Sequence, residues 1–290
     1  MLLRVAPILF VFLWSTGWLV AKYAAPHADP LTFLSVRFGL AALAMSGVVL
    51  ATAAPRSLSG RQAAHGLASG VMLHAVYLGA VWWAIAQGVP AGISALIAAL
   101  QPLLTALAAP ALLGERLSNR QKLGIGLGFV GLVLALAPKL MAVEMAQLRA
   151  VAVPIGVNLA GMVAVTAATF HQKRFLAGGD LRVISTLQYV GAFLIVLPAA
   201  WLFEPMRFDI NPASIAAMAW SVIALSVGAI GLFLMLIRRG EVSRAAALIY
   251  LIPPTAAVES YLMFGETLNP VQITGLCLTV AGVWLASRAG

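Results

Sequence analysis

Residues Gly88–Gly131 read GVPAGISALIAALQPLLTALAAPALLGERLSNRQKLGIGLGFVG, and Gly240–Gly282 read GEVSRAAALIYLIPPTAAVESYLMFGETLNPVQITGLCLTVAG. Each is a long apolar run interrupted by proline (Gln101-Pro102; Pro253-Pro254), followed by a Gly-Glu-x-Leu turn, a capped restart at Gln121 or Gln272, and a glycine-spaced apolar segment. Gly240 and Pro254 lie 152 residues beyond Gly88 and Pro102. Glu266, Gln272, Gly275 and Gly282 lie 151 beyond Glu115, Gln121, Gly124 and Gly131, so one residue has been lost between proline and glutamate. A common offset across six landmarks identifies a fused pair of related halves, which we bound at 1–145 and 146–290.

The surrounding composition belongs to a membrane protein. The chain is 62% hydrophobic and 9% charged, with a mean hydropathy of +1.00, well outside the soluble range. A bilayer core takes roughly 20 apolar residues per helical span. The charges divide the chain into ten such lengths, near 6–24, 31–51, 62–86, 91–113, 120–138, 152–172, 183–203, 213–237, 243–264 and 270–287. The expected fold is therefore all-α and integral to the membrane: ten transmembrane helices in two five-helix repeats.

Five is odd, so the second repeat enters the bilayer inverted. The basic residues agree. Thirteen Lys and Arg fall in segments on the face holding both termini, four on the opposite face, and Arg37 lies within a span. The positive-inside rule then places both termini in the cytoplasm. It also accounts for the net charge of +9 without nucleic acid, for which no basic patch with interleaved aromatics exists. The single cysteine, Cys277, excludes a disulfide framework and a thiolate metal cluster. Gly126-x-Gly128-x-x-Gly131 has the spacing of a dinucleotide fingerprint, but no strand precedes it. Close helix packing explains Gly124-x-x-x-Gly128 better, and no cofactor is expected.

Several polar and aromatic residues fall at membrane depth. Trp14 and Trp18 share one face of the first span, and His74 and Tyr77 share one face of the third. Pro102, Pro253 and Pro254 remove backbone donors inside spans four and nine and free the carbonyls of Ala98 and Tyr250. Paired interruptions at matching places of two halves point to a transport site and a hinge. With Gln101, Asn158 and Tyr189, these residues make up the candidate substrate site. Arg37 and Glu259 lie at similar depth from the face opposite the termini and are expected to pair as a gate or coupling element, since a membrane Arg without a partner is costly. Glu259 is also the candidate for proton coupling; if Arg37 neutralises it, a facilitative mechanism is favoured. Lys22 is expected to snorkel to the headgroups, and Asp29 to cap span two.

The Trp14-Ser-Thr-Gly-Trp18-x-x-Ala-Lys22 start, the central prolines, the two Gly-Glu-x-Leu turns and the ten-span doubling resemble the EamA type of the drug/metabolite transporter superfamily, most of all its bacterial amino-acid and metabolite exporters. The resemblance covers essentially the whole chain, although span six lacks the Trp-Gly character of span one. It implies an inner-membrane carrier, monomeric, with a central cavity lined by spans one, three, four, six, eight and nine. The cargo would be an amino acid or similar small metabolite, aromatic ones included. The competing classes are a broad-specificity drug exporter and a passive channel or flippase. An intramembrane enzyme is disfavoured, because Asp29, Asp180 and Asp209 lie outside the spans and neither G-x-S-x-G nor H-E-x-x-H occurs.

Overall fold

A computed structural model describes residues 2–55, 58–113, 118–141, 145–229, 231–232 and 251–287. Among these the chain is helical apart from turns and one isolated antiparallel bridge between Ala28 and Phe208. Helices are what apolar sequence must form where no water can satisfy the backbone. The elements are α1 (Leu2–Ala24), α2 (Pro30–Ala51), α3 (Gly60–Gly70), α4 (Tyr77–Ala86), α5 (Ala91–Ala98), α6 (Gln101–Leu113), α7 (Asn119–Met141), α8 (Met145–Phe175), α9 (Leu181–Phe203), α10 (Pro212–Ala219), α11 (Ile252–Phe264) and α12 (Pro270–Ser287). Two π-helical segments, Val71–Val76 and Trp220–Ala229, continue α3 into α4 and extend α10. With α5 and α6 counted as one interrupted span, the described helices make ten, and six helical stretches are long and apolar enough to cross a membrane.

The restarts obey local chemistry. In α3 the Ser59 hydroxyl accepts from Gln62 N while Gln62 Oε1 accepts from Ser59 N. Ser118 with Gln121 opens α7 in the same way, and Asn269 with Gln272 opens α12. The Gly-Glu-x-Leu turn of the first half, residues 114–117, lies outside the described residues; in the second half Gly265 has φ 65° and ends α11, a conformation that suits glycine.

The prolines act differently from the mid-helix kinks expected. Span four breaks completely: Ala99 and Leu100 lie between α5 and α6, and Pro102 occupies the first turn of the restarted helix. Pro253 and Pro254 likewise lie in the first turn of α11. A first turn has no intrahelical use for the missing N–H, so the ring is accommodated there. Both sets of prolines thus stand at helix starts.

Packing follows the small residues. α7 lies along α12, and α9 lies along α2 and α3. A Cβ placed on Gly70 would stand 2.0 Å from Gln188 O, and one on Gly191 would stand 2.3 Å from Leu67 O, so α3 and α9 meet backbone to backbone. The core between the halves is aromatic and aliphatic, with Phe10, Phe33, Phe38, Leu34 and Met162 fully buried.

The candidate transport cavity

A cavity of about 410 Å³ lies between the two halves. Its walls come from α1 (Trp14, Gly17, Trp18), α2 (Arg37), the third span (Leu73 to Trp82), α6 (Gln101), α8 (Thr169, Gln172), α9 (Leu181 to Tyr189) and the π segment of span eight (Leu225, Ala229). Spans two and seven therefore join the lining, and the described part of span nine does not.

Six of the expected substrate residues meet here: Trp14, Trp18, His74, Tyr77, Gln101 and Tyr189. The His74 ring stacks on Tyr189 with centroids 4.6 Å apart and planes at 16°, and Phe38 packs against both. Gln101 Nε2 donates to Thr169 Oγ1 at 3.2 Å, joining spans four and six at the cavity wall. Two others lie elsewhere. Asn158 is wholly buried and donates to Ser94 Oγ at 2.6 Å, tying α8 to α5. Ala98 packs against the core at the end of α5 and does not line the cavity. Tyr250 lies outside the described residues.

The expected Arg37–Glu259 ion pair is not formed. Matching depth is not adjacency: α2 packs mainly on α9, whereas α11, which carries Glu259, packs on α1 and α5. Ser15 Oγ donates to Glu259 Oε1 at 2.8 Å, and Oε2 is buried with no hydrogen-bond partner. The Arg37 guanidinium lies over the Trp82 ring, 5.9 Å from its centroid, and its Nε is buried without a partner.

The face opposite the termini is tied across the halves. Lys22 does not reach for headgroups but ion-pairs with Glu266, whose other oxygen accepts from Gly92 N at 3.4 Å. Asp29 occupies the cap position of α2 without capping it. Glu204 does so instead, accepting from Leu31 N at 2.8 Å, Thr32 N at 2.7 Å and Thr32 Oγ1 at 2.9 Å. This leaves Asp29 to accept from Arg207 N at 2.8 Å beside the Ala28–Phe208 bridge. Phe208 stacks on Phe33, which stacks on Trp82, so aromatic rings fill the space above Arg37. Toward the terminal face the cavity reaches Gln172 and Leu181.

The sequence carried no signal for two of these features. The π segments carry no breaker or cap of their own, yet they match between halves: adding 151 to 71–76 gives 222–227, inside Trp220–Ala229. Such segments often mark functional sites, and both supply cavity residues. Glu204 belongs to no local motif, because its partners are backbone amides 172 and 173 residues away.

Comparison with known proteins agrees with this geometry. The EamA-like transporter family matches the chain twice, over residues 5–137 and 154–288. A protein of Salmonella typhimurium named "Probable amino-acid metabolite efflux pump" is 23% identical over 96% of this chain and 92% of its own length. A "Probable terminal-alkyne amino-acid exporter" of Streptantibioticus cattleyicolor is 30% identical over 69% of this chain and 65% of its own. A solved crystal structure superimposes with a TM-score of 0.67 over 98% of this chain and 96% of that one at 18% identity, a likeness of fold.

Proposed function

This chain belongs to the EamA-like transporter family, part of the drug/metabolite transporter superfamily, and from that premise we propose that it exports amino acids or similar small metabolites across the bacterial inner membrane by alternating access. It is a multi-pass membrane transporter. The halves 1–145 and 146–290 are read as inverted five-helix repeats, both termini cytoplasmic, that rock about the breaks at Pro102 and Pro253-Pro254.

One observation carries the reading: a cavity of about 410 Å³, within the range of small-molecule sites, lies at the seam of the halves while, among the described residues, the cross-half ion pairs gather on the face opposite the termini. That is the arrangement of a carrier closed toward the outside. Trp14, Trp18, His74, Tyr77, Gln101 and Tyr189 are the substrate contacts.

Glu259 is the proton-coupling group. Its carboxylate has one unpartnered oxygen, it lies on a second-half helix, and it is bonded to Ser15 on the first-half helix that carries Trp14 and Trp18. A change of protonation there acts on the contact between halves.

The test is counterflow of labelled amino acids in proteoliposomes. Saturable uptake accelerated by unlabelled substrate on the other side is expected. Linear flux without trans-stimulation would identify a channel instead.

A further inference from the structure

The carrier reading leaves one cavity residue without a task. Arg37 is 6% exposed, and it lies within a span, where a lone charge is costly. Buried charges are normally paired. Among the described residues, each acid is engaged elsewhere: Glu259 with Ser15, Glu266 with Lys22, Glu204 with the start of α2, Asp29 and Asp209 with Arg207, and Asp180 with Arg182. The described cavity lining contains Arg37 and no carboxylate.

We infer that Arg37 receives the carboxylate of the substrate, so that the protein selects small carboxylates bearing a flat apolar body and rejects the corresponding amines. The inference rests on the carrier reading and names the chemistry that the cavity selects. A guanidinium presents a planar fork that suits a carboxylate bidentately. The guanidinium carbon lies over the Trp82 ring, 5.9 Å from its centroid, within cation–π range. Trp18 Nε1, a donor only, is buried without a partner in the same cavity, as is His74 Nδ1.

The body of the ligand then lies along the His74–Tyr189 stack, centroids 4.6 Å apart. Its distal groups meet neutral partners, Gln101, Thr169 and Gln172. An amine finds acceptors there but no counter-charge, so the amino group is tolerated and not required. A cationic amphiphile would bring its charge to Arg37 with nothing to offset the repulsion, which separates this cavity from that of a broad exporter of cationic drugs.

The test measures binding to the detergent-solubilised full-length protein by quenching of tryptophan fluorescence, alongside counterflow. The probes are phenylalanine, its deaminated acid 3-phenylpropionate, its methyl ester and phenethylamine. The two acids are expected to bind within a few-fold of each other, and the ester and amine at least about tenfold more weakly. Arg37→Gln is expected to remove that discrimination, and Arg37→Lys to retain part of it. The wild-type comparison alone decides the matter if a variant fails to fold. Equal binding of acid and amine, or saturable binding of neither, overturns the inference. Loss of counterflow with the acid preference intact would instead sink the carrier reading and leave Arg37 as a carboxylate receptor.

Discussion

Gly124 and Gly282 face each other across α7 and α12 with no room for a side chain. A Cβ on Gly124 would stand 2.7 Å from Gly282 O, and one on Gly282 would stand 2.7 Å from Gly124 O. Gly131 and Gly275 repeat the contact: a Cβ on either would lie 2.7 Å or 2.5 Å from the other's carbonyl oxygen. Numbers rise along α7 as they fall along α12, so the helices are antiparallel. With the 151-residue offset, Gly124 corresponds to Gly275 and Gly131 to Gly282. Each contact is thus the counterpart of the other, as a two-fold axis in the membrane plane requires, and this supports the inverted reading of the halves.

Gly282→Ala should therefore destabilise the protein by about 1 to 3 kcal/mol, the usual range for overpacking. Gly126→Ala, where a Cβ meets nothing within 4 Å, should be neutral. Thermal unfolding in detergent distinguishes the two. An equal loss at Gly126 would mean that crowding between α7 and α12 is not what the Gly282 substitution reads.

Glu266→Gln should loosen the closure opposite the termini, since it removes the partner of Lys22 and weakens the acceptor for Gly92 N. In a Cys277→Ser background, a cysteine at Leu78 in the cavity wall should react several-fold faster with a membrane-impermeant thiol reagent added from that face. An unchanged rate would mean that the aromatic stack of Trp82, Phe33 and Phe208 closes the path unaided.

Glu259→Gln should abolish uptake driven by a pH gradient while leaving counterflow measurable, because exchange needs no net proton movement. Ser15→Ala, which keeps the carboxylate and removes its donor, should shift the pH profile without abolishing the gradient-driven step. Full gradient-driven transport in Glu259→Gln would assign coupling elsewhere.

Asn158→Ala should lower stability by about 1 to 2 kcal/mol, through loss of the buried bond to Ser94, and leave substrate affinity unchanged. Tyr189→Ala, beside His74, should weaken aromatic substrates by about two- to tenfold, the scale of a lost aromatic pair of about 0.5 to 1.5 kcal/mol. Equal affinity losses in both would return Asn158 to the cavity.

The residues that were legible beforehand have properties that act locally. Trp14, Trp18, His74 and Tyr77 announce a shared face through helical spacing, and the capped starts at Ser118 and Asn269 announce themselves within four residues. Asn158 misled because its depth fits the cavity and its orientation does not. Arg37 and Glu259 misled in the same way, depth being countable along a helix whereas neighbourhood is not.

The sequence by itself determined the helical, membrane-embedded class, the positions of the spans and the doubling, because bilayer thickness, backbone hydrogen bonding and repeat offset all act along the chain. Tertiary structure alone decided which helices adjoin: that Lys22 meets Glu266, that Glu204 caps a helix of the other half, and that Arg37 faces a cavity without an acid beside it. Those pairings join residues more than 170 positions apart, and they are fixed by which small residues let which backbones approach.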